Sequence, residues 1–165
     1  MKYVRGYNFS RSFMGERVPQ HIQNQVIRDY CNRNQLQFLL SSTEYAMQDC
    51  HLMLEQVLCN LDTISGIVAY SLFQLPEDQT RRKSVYEQCI NKKKALHFAV
   101  EGIQARSQED CERIEMIWRI RLTLPHCPQT SAVHSWLNSA SKGILTWKSR
   151  CILTATNIFR RINWI

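Results

Sequence analysis

The sequence has few of the residues that interrupt regular structure, with five glycines and four prolines among 165 residues. This scarcity excludes a collagen-like chain, which needs glycine at every third position. No glycine-rich phosphate-binding motif follows any of the apolar segments, so neither a P-loop nor a Rossmann nucleotide site is expected. Because 44% of the residues are apolar and 21% are charged, the composition predicts an ordinary globular domain rather than a disordered chain.

Long uncharged apolar runs are also missing. The most apolar stretch, 143–165, contains Lys148, Arg150, Arg160 and Arg161, whereas a membrane-spanning helix needs about 20 largely uncharged residues. The opening MKYVRGYNFS does not have the apolar core of a signal peptide. We therefore expect a cytoplasmic protein.

Paired cysteine motifs are absent as well. The seven cysteines include no CxxC pair, and several lie among apolar neighbours, as Cys31 and Cys59 do. We expect these thiols to be free and buried, as is usual in a reducing compartment. A zinc site built from His126, Cys127 and distant ligands has no support from the spacing. The sequence therefore predicts neither a metal nor a cofactor.

Acidic residues are absent from the last part of the chain. Residues 125–165 contain five Lys or Arg and no Asp or Glu, whereas 1–124 contain 16 Lys or Arg and 14 Asp or Glu. The net charge of +7 therefore belongs mostly to the C-terminal residues. We expect a nearly neutral domain over 1–124, followed by a basic, partly helical extension over 125–165.

Apolar periodicity in the first 124 residues alternates between strand and helix. Strands are predicted at 3–8, 36–41, 64–71 and 95–100, and helices at 19–34, 49–61, 76–91 and 107–124. Asp49 is the predicted N-cap of the second helix. Strand–helix alternation of this kind predicts a doubly wound α/β fold with a mostly parallel four-stranded sheet.

Polar side chains follow each predicted strand, and the carboxyl ends of parallel strands meet at the same edge of a sheet. Ser10 and Ser12 are the candidate catalytic nucleophiles. The candidate ligand-binding residues are Arg11, Arg17, Gln20, Glu44, Tyr45, Gln74 and Glu101. Hydroxyls, guanidiniums and carboxylates at one edge indicate a site for an anion or a phosphate group. Structural roles are the alternative, since a serine can close a turn and an arginine can pair with Glu16, Glu44 or Glu101.

Several stretches resemble a bacterial family, the sporadic carbohydrate cluster proteins. The matching segments are RGYNFSRSFMGERVPQHIQN (5–24), VIRDYC (26–31), STEYAM (42–47), LMLEQVL (52–58) and YSLFQLPE (70–77). This resemblance implies a protein from a gene cluster for surface-polysaccharide or lipopolysaccharide biosynthesis. It implies no particular reaction.

A second, more distant resemblance is to the catalytic domain of the serine recombinases (resolvases and invertases). Gly6-Tyr7 precedes Ser10 and Ser12, and the helix that follows contains Gln20, Gln23 and Gln25. YSLFQLPEDQTRR (70–82) falls where those enzymes have an Asp-Arg…Arg segment, and AVEGI (99–103) resembles the end of their fourth strand. The resemblance implies a resolvase-like fold with a nucleophilic serine.

The sequence departs from the recombinase pattern at the arginines. Asn8 or Phe9 stands where the family has an arginine before the serine, and the Asp-Arg…Arg segment reads Phe73-Gln74…Glu77. Since phosphoryl transfer needs clustered positive charge on the phosphate oxygens, we expect the recombinase chemistry to be lost. Only a rebuilt geometry would let Arg11, Arg17 or Arg81 replace the missing arginines.

Three functions are therefore open. The main hypothesis is a cytoplasmic protein of a surface-carbohydrate pathway that binds, or acts on, an anionic sugar or sugar nucleotide. The first alternative is a DNA-binding or DNA-cleaving relative of the site-specific serine recombinases with a degenerate active site. The second alternative is a non-enzymatic module that forms a homodimer through 107–124. The basic extension, with Trp136, Trp147, Phe159 and Trp164 among its charges, is expected to contact an anionic membrane surface or to have no role.

Overall fold

Strands and helices alternate along the chain as the periodicity predicts. The computed structural model describes residues 2–13 and 17–123. The elements are β1 (Tyr3–Phe9), α1 (Gln20–Arg33), β2 (Gln37–Glu44), α2 (Leu52–Cys59), β3 (Gly66–Ala69), α3 (Gln79–Asn91), β4 (Ala95–Phe98), β5 (Ile103–Ala105) and α4 (Gln108–Thr123). The chain divides into two compact units, 1–115 and 116–165. The predicted character of 125–165 lies outside the described residues.

One mixed sheet forms the centre of the first unit. Its strand order is β2-β1-β3-β4-β5. Strands β1 to β4 are parallel to their neighbours, and β5 is antiparallel to β4. The predicted α/β fold is confirmed, but the sheet has five strands rather than four. Residues 103–104, which we expected in a loop, begin β5, because Gly102 takes a left-handed φ of 69° and reverses the chain after β4.

The core lies on both faces of β1 and β3. Every residue of β3 is buried, as expected for a central parallel strand. On one face, Ile27 and Cys31 of α1 belong to the same apolar cluster as Val4 and Val68. The α1 prediction is close to the observed helix because this apolar stripe has a clear helical period.

Two predicted boundaries on the side of α2 are wrong. Strand β2 continues to Glu44, three residues beyond its predicted end. Helix α2 begins at Leu52, and its N-cap is His51 rather than Asp49. Asp49 instead has a left-handed φ of 53°, so it lies in the turn that precedes the helix. The predicted start of α3 at 76 is also early, since Asp78 caps that helix by accepting a hydrogen bond from Arg81 N at 2.7 Å.

A buried ion pair connects α3 to the middle of α4. The Nε and Nη2 atoms of Arg82 donate to the two carboxylate oxygens of Glu115 at 2.8 and 2.9 Å, and Tyr86 Oη donates to the same carboxylate at 3.2 Å. Burial raises the pKa of Glu115, but the hydrogen bond and charge of Arg82 outweigh it, so the pKa is lower than usual. Because two charges are buried together, removing either one leaves the other uncompensated.

Cysteines in the described part of the chain are free. Cys31, Cys50, Cys89 and Cys111 are buried, whereas Cys59 is exposed, contrary to the expectation for that residue. In the same part of the chain, no three His, Cys, Asp or Glu residues are grouped so that they could hold a metal ion. None of the described helices is long and apolar enough to cross a membrane.

Candidate functional site at the carboxyl edge of the sheet

The polar residues predicted to converge do follow the carboxyl ends of the parallel strands. Ser10 follows β1, Glu44 ends β2, Ser71 follows β3, and Glu101 follows β4. The shared strand direction brings these residues to one edge of the sheet. Their hydrogen bonds then show which of them are available to a ligand.

Glu44 is buried and holds the start of α2. Its Oε2 accepts hydrogen bonds from Tyr7 Oη at 3.1 Å, Met53 N at 3.1 Å and Leu54 N at 3.2 Å. Its Oε1 accepts from Tyr45 N at 3.1 Å and from Cys50 Sγ at 3.4 Å. A carboxylate that satisfies the first backbone N–H groups of a helix acts as its cap. Glu44 therefore has a structural role, and it is enclosed rather than open to a ligand.

The guanidinium of Arg11 closes the loop between β2 and α2. Its Nη1 donates to the backbone carbonyls of Tyr45 at 3.1 Å, Met47 at 3.1 Å and Cys50 at 2.7 Å. The same group lies 3.9 Å from the centre of the Phe9 ring. The alternative in which Arg11 pairs with Glu44 or Glu101 is not what the structure has, because the guanidinium bonds three carbonyls of the loop instead.

A directional hydrogen-bond chain links Arg11 to Glu44. An arginine can only donate, so Arg11 Nη2, at 3.4 Å, makes His51 Nε2 an acceptor. The hydrogen of neutral His51 is then on Nδ1, which lies 3.3 Å from Tyr7 Oη, and Tyr7 donates to Glu44. Burial lowers the pKa of His51 to about 4, with the positive charge of Arg11 adding to the effect. His51 is therefore neutral and packed.

Ser10 is engaged in the same closure. Its hydroxyl donates to the backbone carbonyl of Glu44 at 2.5 Å. No general base among the described residues contacts this hydroxyl. Ser12 is exposed and has no hydrogen-bond partner among the described residues. Neither serine therefore has the activated arrangement that a nucleophile needs.

A cluster of buried amides connects β1, α1 and the short 3₁₀ turn Leu72–Gln74. Gln23 donates from Nε2 to Phe9 O at 2.8 Å and to Val18 O at 2.7 Å, and its Oε1 accepts from Phe9 N at 3.1 Å. These bonds fix the Gln23 amide, so the 2.7 Å contact with Gln74 is a bond donated by Gln74 Nε2. The opposite atom, Gln74 Oε1, and Asn8 Oδ1 are buried without a partner among the described residues.

Glu101 supports the same 3₁₀ turn from β4. Its carboxylate accepts hydrogen bonds from Ser71 Oγ at 2.6 Å and from Leu72 N at 3.1 Å. Burial raises the pKa of Glu101 to about 7, although both hydrogen bonds oppose the shift. Glu101 is partly buried, and it positions the turn that holds Gln74.

Other candidates do not join these clusters. Arg17 and Gln20 are exposed and make no hydrogen bond with described residues, and the Tyr45 side chain is 54% exposed. Arg81 is exposed and pairs with Glu55 at 3.1 Å. Residues 14–16, which include Glu16, lie outside the described residues. The structure thus brings Ser10, Arg11, Glu44 and the backbone of Tyr45 together, and it joins Gln74 to Gln23.

Sequence reasoning missed Tyr7, His51 and Gln23 as organising residues of this edge. All three are almost fully buried, with exposed fractions of 0%, 5% and 0%. The sequence offers one signal for the Tyr7–Glu44 bond. Tyr7 lies in a predicted strand, and Glu44 lies near the end of the strand predicted next in the chain. Nothing local in the sequence indicates that His51 lies between Tyr7 and Arg11.

Phosphoryl transfer needs unpaired cations and an activated nucleophile, and this edge lacks both among the described residues. Arg11 is bonded to carbonyls, Arg81 pairs with Glu55, and Arg82 pairs with Glu115. Arg17 is the remaining exposed guanidinium of the first loop. One isolated cation does not provide the clustered charge that a transferring phosphate requires.

Two solved structures share the architecture. The N-terminal catalytic domain of TP901-1 integrase aligns over 85% of this chain and 99% of its own, with a TM-score of 0.53 and 12% identity. A resolvase family site-specific recombinase from Streptococcus pneumoniae aligns over 83% of this chain and 98% of its own, with a TM-score of 0.51 and 10% identity. The sequence matches no protein-family model and no curated protein, so the carbohydrate-cluster resemblance gains no support. The chain therefore has a resolvase-like fold.

Proposed function

We propose that this protein is a relative of the serine recombinases that binds DNA without cleaving it. The observation that supports the loss of cleavage is the position of Arg11. The guanidinium beside the two candidate nucleophiles is bonded through Nη1 to three backbone carbonyls, so the protein's own loop, rather than a phosphate, fixes its position.

DNA binding is supported by the fold and by the charge of the C-terminal residues. Both structural neighbours are recombination enzymes by name. Residues 125–165 contain five cations and no acid, whereas cations and acids nearly balance in the preceding domain. If all five cations contact phosphates, the logarithm of the binding constant falls by about 4 to 5 for each tenfold rise in salt.

Fluorescence anisotropy with a labelled duplex, measured over a range of salt concentrations, tests this proposal in the full-length protein. The test variant replaces the five C-terminal cations with glutamine: Lys142, Lys148, Arg150, Arg160 and Arg161. The matched control replaces five exposed cations of the domain: Lys2, Arg17, Lys83, Lys93 and Arg106. We expect the first variant to lose affinity and most of the salt slope, and the control to keep both. Equal binding by the wild type and the first variant would disprove the role of these cations.

The absence of cleavage needs a separate assay. Incubation with supercoiled plasmid, followed by denaturing electrophoresis, detects nicks and covalent protein–DNA adducts. We expect neither from the wild type. An adduct that disappears in both Ser10→Ala and Ser12→Ala, or in one of them, would show that strand cleavage is retained.

A small hydroxyl-bearing ligand, such as an anionic sugar or sugar nucleotide, is the second candidate. Gln74 Oε1 and Asn8 Oδ1 favour it, because two buried acceptors without partners can receive hydrogen bonds from a polyol. Thermal-shift measurements with UDP-glucose and UDP-N-acetylglucosamine test it. A stabilisation that is lost in Gln74→Met, but kept in Gln20→Met, would favour this candidate. No shift with the wild type would eliminate it for these two compounds.

Two further expectations remain proposals of their own. Sedimentation of the full-length protein tests for a homodimer through 107–124. Co-sedimentation with phosphatidylserine vesicles tests whether 125–165 contacts an anionic membrane surface. Neither is required for the DNA-binding proposal.

A further inference from the structure

A cavity of about 170 Å³ lies between β1, β2 and α2, and its lining residues are mostly outside the carboxyl-edge network. It is lined by Arg5, Ser42, Met53, Gln56, Val57, Asn60, Thr63 and Ile64. Arg5 lies in the middle of β1 and Ser42 in β2. The other residues belong to α2 and to the turn that follows it. None of the eight lining residues is acidic.

Arg5 is a half-buried cation with no compensating group. Within the described residues, it makes neither an ion pair nor a hydrogen bond. Placing a charge in a partly desolvated position is unfavourable unless an opposite charge or hydrogen bonds offset it. The fold therefore presents to the cavity a guanidinium that makes no hydrogen bond with described residues and can only donate.

The irregular pairing of β1 with β2 gives Arg5 its position. Val4 pairs with Phe38, but Gly6 pairs with Ser41, so β2 has an extra residue opposite Arg5. A bulge of this kind changes the direction of nearby side chains and recurs beside binding sites. The neighbouring strand β3 keeps a regular register, in which Arg5 pairs with Ile67.

Two other donors line the same cavity without partners. The Ser42 hydroxyl and the Gln56 side-chain amide make no hydrogen bond with described residues. Together with Arg5 they form a set of one charged and two neutral donors. Such a set suits a tetrahedral oxyanion, which offers several acceptor oxygens at once.

The opposite wall of the cavity differs in charge. Asn60 is the C-cap of α2, and a helix C-terminus carries partial negative charge. The carbonyls there are already occupied, since Asn60 N and Nδ2 donate to Gln56 O and Thr63 Oγ1 donates to Asn60 O. An anionic group would therefore lie on the Arg5 side, with neutral hydroxyls toward Asn60 Oδ1.

We propose that this cavity binds a small phosphate-bearing ligand, with Arg5, Ser42 and Gln56 contacting the phosphate. The volume is below the roughly 300–1,000 Å³ of pockets that enclose drug-sized molecules, so inorganic phosphate or a small phosphomonoester fits better than a whole nucleotide sugar. This site is independent of the proposed DNA binding, because it lies within the nearly neutral domain and does not include 125–165.

Isothermal titration calorimetry of the full-length protein tests the site, with inorganic phosphate and glucose 1-phosphate as the two ligands. We expect saturable binding to the wild type. The affinity of Arg5→Met should be lower by about tenfold or more, which is the loss expected for a charge-assisted hydrogen bond. If Arg5→Met does not fold, Arg5→Lys replaces it in the test. This variant keeps the positive charge but loses the guanidinium, so it should bind phosphate more weakly than the wild type does. The matched control is Arg33→Met, an exposed arginine on α1, which should bind as the wild type does.

Amide chemical shifts locate the ligand. When phosphate is added, we expect the amide shifts of Ser42, Gln56 and Asn60 to change. A comparison of the two affinities then shows whether the site prefers free phosphate or its sugar ester. The proposal is overturned if Arg17→Met loses phosphate while Arg5→Met keeps it, since the anion would then bind at the carboxyl edge. It is also overturned if phosphate binding to the wild type does not saturate. A third contrary result would be that Arg5→Met binds both small ligands as the wild type does and differs from it only in binding duplex DNA.

Discussion

Replacing Glu44 with glutamine tests whether this carboxylate is a structural cap. Its Oε2 atom accepts three hydrogen bonds, from Tyr7 Oη, Met53 N and Leu54 N, and its Oε1 atom accepts from Tyr45 N. Glutamine has the same shape but no charge, and it places an N–H₂ group where one of the two oxygens accepts. The substitution therefore separates the effect of charge and hydrogen bonding from that of packing.

The magnitude follows from the geometry. The least unfavourable amide orientation puts N–H₂ at the Oε1 position, where it faces Tyr45 N–H and loses that bond. The three bonds at the Oε2 position survive as neutral rather than charge-assisted hydrogen bonds, a loss of about 1 kcal/mol each. The negative charge at the α2 N-terminus is lost as well. Together these losses lead us to expect Glu44→Gln to lower the free energy of unfolding by about 4–5 kcal/mol.

Urea unfolding at neutral pH, followed by circular dichroism, measures this loss. Glu87→Gln is the matched control, because Glu87 is exposed on α3 and bonds to no described residue; a surface change of this kind stays within about 0.5 kcal/mol. Hydrogen exchange at Met53 and Leu54 should quicken in Glu44→Gln alone. If Glu44→Gln unfolds at the same urea concentration as Glu87→Gln, the capping role is refuted.

Three further substitutions test other parts of the fold by urea unfolding. The pKa of Glu101 in the folded protein, about 7, lies above its ordinary value of 4.5, so the wild type loses stability as the pH rises through this interval. Glu101→Gln should therefore be more stable than the wild type by about 1–3 kcal/mol at pH 8 and nearly equal to it at pH 4. The same difference in stability at both pH values would contradict the raised pKa. Arg82→Met should cost about 3–5 kcal/mol by leaving Glu115 buried and unpaired, and a loss below about 1 kcal/mol would show the pair to be dispensable. Gly6→Ala puts a Cβ 2.1 Å from Ser41 Oγ and should cost about 1–3 kcal/mol, with partial recovery in Gly6→Ala/Ser41→Gly; no recovery would mean that the clash lies elsewhere.

The strands and helices could be predicted because their apolar residues repeat with the period of each element. Helix α1 has a buried stripe through Ile27 and Cys31, and β3 is apolar at each position. The end of β2 and the start of α2 could not be predicted in this way. Their limits depend on Glu44, which ends one element and caps the other from eight residues before Leu52, and no local period encodes that contact. Strand β5 has three residues, too few to show an alternation.

The edge of the sheet could be predicted, but the roles of its residues could not. Sequence places Ser10, Arg11 and Glu44 at one edge because parallel strands share a direction. Whether each side chain faces a ligand or the protein depends on the backbone groups that the connecting loops turn inward. The 45–50 loop turns three carbonyls toward Arg11, and the start of α2 turns two N–H groups toward Glu44. Both side chains are therefore engaged by backbone groups of the protein itself before any ligand arrives.

Arg5 is the opposite case, and it shows how a resolvase-like fold can lose one site and offer another. Its place among the mostly apolar residues of β1 is visible in the sequence, yet no acidic residue stands near it in the chain. At the carboxyl edge, Arg11 bonds three carbonyls of the 45–50 loop and Glu44 bonds two N–H groups at the start of α2, so changing either one costs stability. At the cavity, Arg5 bonds to none of the described residues, so Arg5→Met should leave stability almost unchanged while weakening phosphate binding. A large loss of stability in Arg5→Met without loss of phosphate binding would reverse that assignment and make Arg5 structural.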